Sequence, residues 1–377
     1  MLDKCIRKLY SLLMKRYFLV PIILLLGSVI LSGAYFSVRY LKEKAATFEY
    51  EEQRKTLDID KYNEYGLLDE KVLTEEALYE NDVFIIFSDR VLFKYSLNSE
   101  NEYYFANRTN YLNDVLGSDV HVSVMPIPTR IQYESVELSE NYQKQFNECI
   151  DYLKEVLNED IGLIDCSGLI DENGGRNLFY RTNDMWNMTG AYYGYYAFCN
   201  ETGTVSFSID YFPEKQISHF RGGLISRALP TIPEDHEIIP VLSAIEDDPF
   251  FFRLAKDSKN YELVKDSESE KIFKRPLISN TVTGNSSVVG SSVEYAIIPG
   301  NGEGNVLLIT DDNGKLIAPY LAENFENVIV FDISKYDGKN MQQILAPYKI
   351  SEVLVTESVE RIGVKNQSIF YNSLMRE

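Results

Sequence analysis

Two short stretches of this chain hold residue types that could do chemistry. The first is Tyr180-Arg181-Thr182-Asn183-Asp184-Met185-Trp186, which sets a guanidinium, an amide and a carboxylate beside the only tryptophan. The second is Asp311-Asp312-Asn313-Gly314, directly after the apolar run Val306-Leu307-Leu308-Ile309 and Thr310. An Asp-x-Asp-Gly turn at a buried strand end would suit aspartyl-phosphate chemistry, with the first carboxylate as nucleophile, the second as acid/base, and Mg²⁺ bound by carboxylates. That chemistry wants a second aspartate where Asn313 stands, and Asp-Asn-Gly is ordinary turn sequence. The turn reading is therefore preferred. Acyl transfer needs a different set: a hydroxyl, a base within hydrogen-bond reach of it, and a carboxylate that orients the base. The chain has three histidines, His121, His219 and His236. Ser88, Ser291 and Ser292 lack the Gly-x-Ser-x-Gly context of a nucleophile elbow. Trp186 reads as a packing residue and Arg181 as the holder of a local carboxylate.

The elements that would position these residues are legible from hydropathy. Val83 to Phe87 and Val120 to Val124 read as strands, the second ended by Pro126-Ile127-Pro128. Ser139 is the expected N-cap of a helix running to Leu157, with Phe146, Ile150, Leu153, Val156 and Leu157 on one face. Thr189 is the expected cap of a second helix, Gly190 to Cys199, whose tyrosines pack on a half-buried face. In the last third, Val306–Ile309, Val328–Phe331 and Val353–Val355 are strands, alternating with helices at Lys315–Phe325 and Met341–Tyr348. Such alternation implies crossover units and a parallel sheet covered on both faces. Thr281 to Ser292, rich in Ser, Gly and Val, reads as a loop or a small β excursion.

Both chemical stretches resemble segments of the DHHW family, relatives of the alginate O-acetyltransferases with an SGNH-hydrolase-like fold. The family's first segment reads roughly Tyr-Tyr-Arg-Thr-Asp-His-His-Trp, then a Gly-Ala-Tyr-Tyr helix; here the helix reads Thr189-Gly190-Ala191-Tyr192-Tyr193. Val122-Ser123-Val124-Met125-Pro126 resembles a family strand, and His219-Phe220-Arg221-Gly222-Gly223-Leu224-Ile225-Ser226-Arg227 a Phe-x-Gly segment. Leu307 to Gly314 with Ala318-Pro319-Tyr320-Leu321 resembles the family's Leu-Leu-Ile-Lys-Asp-Ser-Tyr-Gly block, and Pro299-Gly300-Asn301 precedes it. The resemblance covers about Val83 to Ser358. It implies an SGNH-hydrolase-like three-layer sandwich with a mostly parallel sheet. It also implies that the triad is degenerate: the family's Asp falls on Asn183, its catalytic-type His on Met185, and its Ser on Asp312. Methionine carries no proton, and a carboxylate nucleophile would form an anhydride. The inherited cleft would then comprise Tyr180, Arg181, Asp184, Trp186, Gly222, Gly223, Asp311 and Asn313.

Composition places this domain. Phe18 to Val38 is apolar and uncharged, long enough for a bilayer core of about 30 Å. Five basic residues precede it and three follow before Glu49. The expected organisation is a basic cytoplasmic N-terminus (1–17), a transmembrane signal-anchor helix (18–38), a stalk (39–80) and an extracytoplasmic domain (81–377). A cleaved signal ending near Ser32-Gly33-Ala34 is the alternative. Beyond residue 44 the chain carries 29 basic and 55 acidic side chains, a net of −26. Such a charge argues against nucleic acid as a partner. Three cysteines beyond the span, with no Cys/His pairing, argue against a disulfide framework and a zinc site. No metal or cofactor is expected. The function so read is non-catalytic, binding a cell-surface polysaccharide or scaffolding a membrane-bound O-acyltransferase. The alternative is an active polysaccharide O-acetyltransferase or acetylesterase with relocated catalytic residues.

Overall fold

The computed structural model describes residues 76–363, apart from 234–235, 247, 256–258, 260–261, 267–271, 276 and 278–292. The expected span, the stalk as far as Glu75 and the Thr281–Ser292 loop lie outside these residues. Among the described residues no helix is long and apolar enough to cross a membrane.

Strands β1 (Tyr79–Glu80), β2 (Phe84–Ile86) and β3 (Val91–Phe93) form a small antiparallel sheet. There follow α1 (Ser99–Leu116), β4 (His121–Ile127), α2 (Val136–Val156), β5 (Ile161–Leu163), α3 (Ser167–Glu172) and α4 (Met188–Thr202). A ribbon of β6 (Glu214–Phe220) and β7 (Asp248–Arg253) encloses α5 (Gly223–Ala228) and α6 (Ile238–Ala244). The rest comprises β8 (Glu262–Asp266), β9 (Ile272–Arg275), β10 (Val293–Pro299), β11 (Asn305–Thr310), α7 (Ala318–Asn324), β12 (Asn327–Asp332), α8 (Met341–Leu345), β13 (Ile350–Ser358) and α9 (Val359–Ile362).

The main sheet has the order β5-β4-β13-β11-β12-β10-β8-β9. The first five strands are parallel. The last three continue antiparallel, an extension that the apolar runs did not announce. Both faces of the sheet are covered. Val306, Leu308, Val328, Val330 and Leu354 pack with α4 and α7, while Leu307, Ile309, Ile329, Phe331, Val353 and Val355 pack with α1, α2 and α8. Strands buried on both faces need no polar alternation, which is why they read as unbroken apolar runs.

Local details correct the expected caps. The long helix starts at Val136 with Ser135 as its N-cap, and Ser139 lies inside the first turn. Asn187, not Thr189, caps α4: its Oδ1 accepts from Thr189 N at 3.0 Å and Gly190 N at 3.1 Å. Asparagine outranks threonine for this task. Strand β4 runs through Pro126; β5 pairs with β4 only as far as Val124, so one flank beyond is an edge where proline is tolerated. Cys149, Cys166 and Cys199 are buried free thiols.

The connections locate a crevice. The β4–β5 crossover carries α2 on one face, and β12–β13 carries α8 on that same face. The β11–β12 crossover moves in the opposite direction along the sheet and carries α7 on the other face. Right-handed crossovers require this pairing of direction and face. The direction reverses at the carboxyl ends of β4, β13 and β11, and ligands of open α/β sheets bind at such a point.

Candidate functional site

Asp311 follows β11 at this crevice and is 1% exposed. Its Oδ1 accepts from Asn313 N at 2.9 Å and Gly314 N at 3.2 Å, closing the expected turn. Its Oδ2 accepts from Ser358 N at 2.9 Å and Ser358 Oγ at 2.8 Å. A carboxylate saturated by four donors organises a site rather than attacking a substrate. Burial pushes its pKa up, against the pull of Arg361 and these hydrogen bonds. Asp312 turns outward, and Lys315 Nζ lies 2.7 Å from its Oδ1. The same ammonium reaches back to buried Asp332, which ends β12 beside Thr310. Burial pulls the Lys315 pKa down, but the two carboxylates outweigh it and hold the group above its usual range.

The Tyr180–Trp186 stretch is a tight loop that leans on this corner. Tyr180 N donates to Met185 O, Asn187 N donates to Leu178 O, and Phe179 pairs with Trp186. Trp186 is fully buried, and its Nε1 donates to Asn313 O at 2.8 Å, tying the loop to the Asp311 turn. Its ring lies across α4 at Gly194, where any Cβ would come within 2.6 Å of it. Asn183 Oδ1 accepts from Met185 N at 3.1 Å, and Met185 packs against the core. The tip docks on the glycine pair. Gly222 N donates to Thr182 Oγ1 at 2.7 Å, and a Cβ on Gly222 would stand 2.1 Å from Thr182 O. Gly223 opens α5. Tyr180 is buried edge-on against Phe220.

Arg181 turns away from the crevice. Its backbone N and Nε both donate to Asp248, at 2.6 and 2.7 Å, and its Nη2 donates to Glu246 O at 3.1 Å. Arg181 thus holds a local carboxylate, Asp248.

Asp184 faces Glu360, at the start of α9, carboxyl to carboxyl. Asp184 Oδ2 and Glu360 Oε2 are sealed from solvent with no hydrogen-bond partner among the described residues, an arrangement in which two acids can share one proton. Burial first, then the Asp184 charge, raises the Glu360 pKa well above the carboxylate range. Arg227 Nη1 stands 3.6 Å from Asp184 Oδ2. Asn313 Oδ1 and Arg361 Nε are also buried here without a hydrogen-bond partner among the described residues. Buried polar atoms left unsatisfied in one corner mark a site selected for something other than stability.

Sequence reasoning found the Asp311 turn, the loop and the glycine pair. It missed Ser358, Glu360 and Arg361 on one side and Lys315 with Asp332 on the other. The available signal was positional: polar residues just past the ends of buried parallel strands.

The other candidate nucleophiles and bases lie elsewhere. His121 pairs with Glu352 at 2.9 Å, at the start of β4 and β13. Six residues of strand separate Glu352 from Ser358, about 20 Å at 3.3 Å per residue. His236 packs edge-on against Tyr79 and accepts from Ile238 N. His219 is exposed on β6. Burial pushes the Cys199 thiol up to about 12, too high for a thiolate nucleophile. No group of three or more His, Cys, Asp or Glu among the described residues could hold a metal ion.

A second cavity, of 460 Å³, opens at the base of the same loop and is lined by Arg90, Arg130, Arg176 and Arg181 with Phe179 and Asp248 among others.

With this geometry in place, comparison with known proteins is informative. The DHHW protein family profile matches residues 73–331. No curated protein matches the chain in sequence. Among solved structures, a DHHW family protein from Eubacterium siraeum is 18% identical with a TM-score of 0.63, over 79% of this chain and 97% of its own. Bacillus cereus PatB1, in a structure with a sulfonyl adduct, is 16% identical with a TM-score of 0.58, over 78% and 97%. The O-acetyltransferase domain of Pseudomonas putida AlgJ is 11% identical with a TM-score of 0.41, over 77% and 93%. The first two share the fold described above, a mixed, mostly parallel α/β sheet covered on both faces. This chain belongs to the DHHW family.

Proposed function

We propose that this chain is a membrane-anchored, extracytoplasmic DHHW protein that has lost the acyl-transfer triad. It binds glycan in the inherited crevice, or scaffolds an active membrane-bound O-acyltransferase, in cell-surface polysaccharide O-acetylation. One observation carries this reading. Asp312, the position where the family resemblance puts the serine nucleophile, is a carboxylate held 2.7 Å from the ammonium of Lys315. An ion-paired carboxylate is a weak nucleophile, and Met185, where the base would stand, moves no proton. The apolar uncharged stretch from Phe18 to Val38 and its basic flank support the anchor and its orientation.

A second reading has its own support. Ser358 Oγ sits on Asp311, beside the proton-sharing pair of Asp184 and Glu360. Acyl transfer or acetyl-ester hydrolysis through Ser358 would be chemistry relocated within the same crevice. The full-length chain, tested with an acetyl-ester reporter and with a sulfonyl fluoride followed by intact mass, separates the two. The non-catalytic reading expects no turnover and no adduct. Turnover that disappears in Asp312→Ala or His219→Ala would sink it, and turnover lost in Ser358→Ala would establish the relocated enzyme.

A further inference from the structure

The connection from α4 to β6 is tied to the last turn of α7. Phe207 N donates to the Tyr195 hydroxyl at 3.0 Å, and that hydroxyl donates to Asn324 Oδ1 at 2.7 Å. Asn324 Nδ2 returns to Val205 O at 2.6 Å. The connection carries the Phe207 and Tyr211 rings, stacked with centroids 4.5 Å apart, and Tyr211 stays 41% exposed. A second segment, the Pro299-Gly300-Asn301 stretch, closes the same helix end: Asn301 N donates to Ala322 O at 2.7 Å and Gly302 N to Phe325 O at 3.2 Å. Glu323 stands between the two segments and is 4% exposed. Its Oε2 accepts from Asn301 Nδ2 at 3.0 Å and lies 3.5 Å from the Tyr211 hydroxyl. Its Oε1 is buried with no hydrogen-bond partner, and no ion pair reaches the carboxylate, among the described residues. The ammonium of Lys259 donates instead to Gly300 O. A buried carboxylate is normally matched by a cation, and this one has only neutral donors. Asn301 and Tyr211 are both exposed, so the carboxylate lies one side chain below the surface. The six residues of β12, about 20 Å of strand, separate it from the crevice.

We infer that Glu323, Asn301 and Tyr211 form a binding site for a primary ammonium group, the free amine of an amino sugar. The ammonium donates to Glu323 Oε1, supplies the positive charge that the carboxylate lacks, and lies against the Tyr211 ring, whose face attracts cations. A quaternary ammonium has no N–H to donate, and an N-acetylated amine has no charge. The net charge of −26 beyond residue 44 draws cations toward the domain. The preference for an ammonium stands on these three residues; that it belongs to a glycan rests on the glycan-binding reading above.

Calorimetric titration of the full-length chain at low salt tests it with methylammonium, glucosamine, N-acetylglucosamine and tetramethylammonium. Saturable binding of the first two is expected, and weaker binding or none for the last two. Glu323→Gln should weaken methylammonium binding about tenfold or more. Its urea midpoint should hold or rise, because a buried charge has been removed. Tyr211→Ala should weaken binding roughly threefold. Glu303→Gln, which removes an exposed carboxylate at the same helix end, should weaken it about twofold at most. The inference is overturned if methylammonium fails to bind, if N-acetylglucosamine binds as well as glucosamine, or if Glu303→Gln weakens binding as much as Glu323→Gln. Methylammonium bound without glucosamine would overturn the glycan source and uphold the cation site. Should Glu323→Gln fail to fold, the four ligands compared on the parent chain still decide. Ester turnover is a separate readout, so failure here and failure of the non-catalytic reading are distinguishable.

Discussion

One loop, residues 178–187, divides two charge clusters that solve the same problem in opposite ways. Beyond its tip, carboxyl groups crowd at the ends of β11, β12 and β13, with Lys315, Arg227 and Arg361 among them. At its base, guanidinium groups crowd around Glu134. Crowded carboxylates can discard charge by taking up a proton, and Glu360 and Asp311 are both shifted that way. Arginine has no such exit, because its guanidinium stays protonated at any ordinary pH. Excess charge in the acidic cluster therefore becomes a dependence on pH. The arginine cluster instead depends on the carboxylates packed against it, Glu134 above all.

The sharpest way to break the contrast is to remove the one carboxylate that three arginines share. Glu134→Gln leaves buried guanidinium groups uncompensated, a defect that costs roughly 3–5 kcal/mol. Urea unfolding should show that loss, and added phosphate should recover part of it. A variant as stable as the parent would mean that solvent already screens these charges. On the acidic side the matching change is Lys315→Met, which strands Asp332, 2% exposed, without its cation. The expected loss is about 3 kcal/mol at neutral pH. Added phosphate should recover none of it, unlike the loss in Glu134→Gln, because the stranded group is an anion. Equal recovery by phosphate in the two variants would erase the distinction between the clusters.

A smaller change tests the link between loop and crevice. Trp186→Phe keeps most of the ring packed against Gly194 and removes the bond to Asn313 O. A loss of about 1–2 kcal/mol is expected for a carbonyl left buried without its donor. Stability equal to the parent's would show that the Asn313 carbonyl finds another donor.

What the sequence disclosed follows the same division. Residues in unbroken apolar strands, and the turn and loop adjoining them, were readable because burial on both faces leaves a signature in consecutive positions. Asp184 was readable as a candidate, but its partner Glu360 lies in a corner after β13 that no motif marks. The arginine cavity was invisible for a stronger reason. Arg90 and Arg181 come from loops and Arg130 and Arg176 from two separate 3₁₀ turns, and each reads locally as an ordinary surface cation. Only the topology that sets β3, the turn after β4 and the 178–187 loop side by side makes them one site. The antiparallel strands β8, β9 and β10 were missed because mixed, polar-dotted segments look alike whether or not a sheet edge recruits them.

The gentlest test concerns the shared proton. Glu360 titrates above its ordinary range in the folded chain, because burial and Asp184 disfavour its charge. Between the ordinary carboxyl range and that raised value, the folded chain binds one more proton than the unfolded chain. Stability is therefore fully present at pH below the ordinary range, and it falls as pH rises toward the raised value. Glu360→Gln fixes the protonated pattern, since its amide can donate to Asp184 at every pH. The variant should match the parent in acid and exceed it at neutral and higher pH, by about 1 kcal/mol, the worth of one hydrogen bond. Urea midpoints measured from pH 4 to pH 9 would show two curves that diverge upward in pH. Parallel curves would mean that the two carboxyl groups do not share a proton.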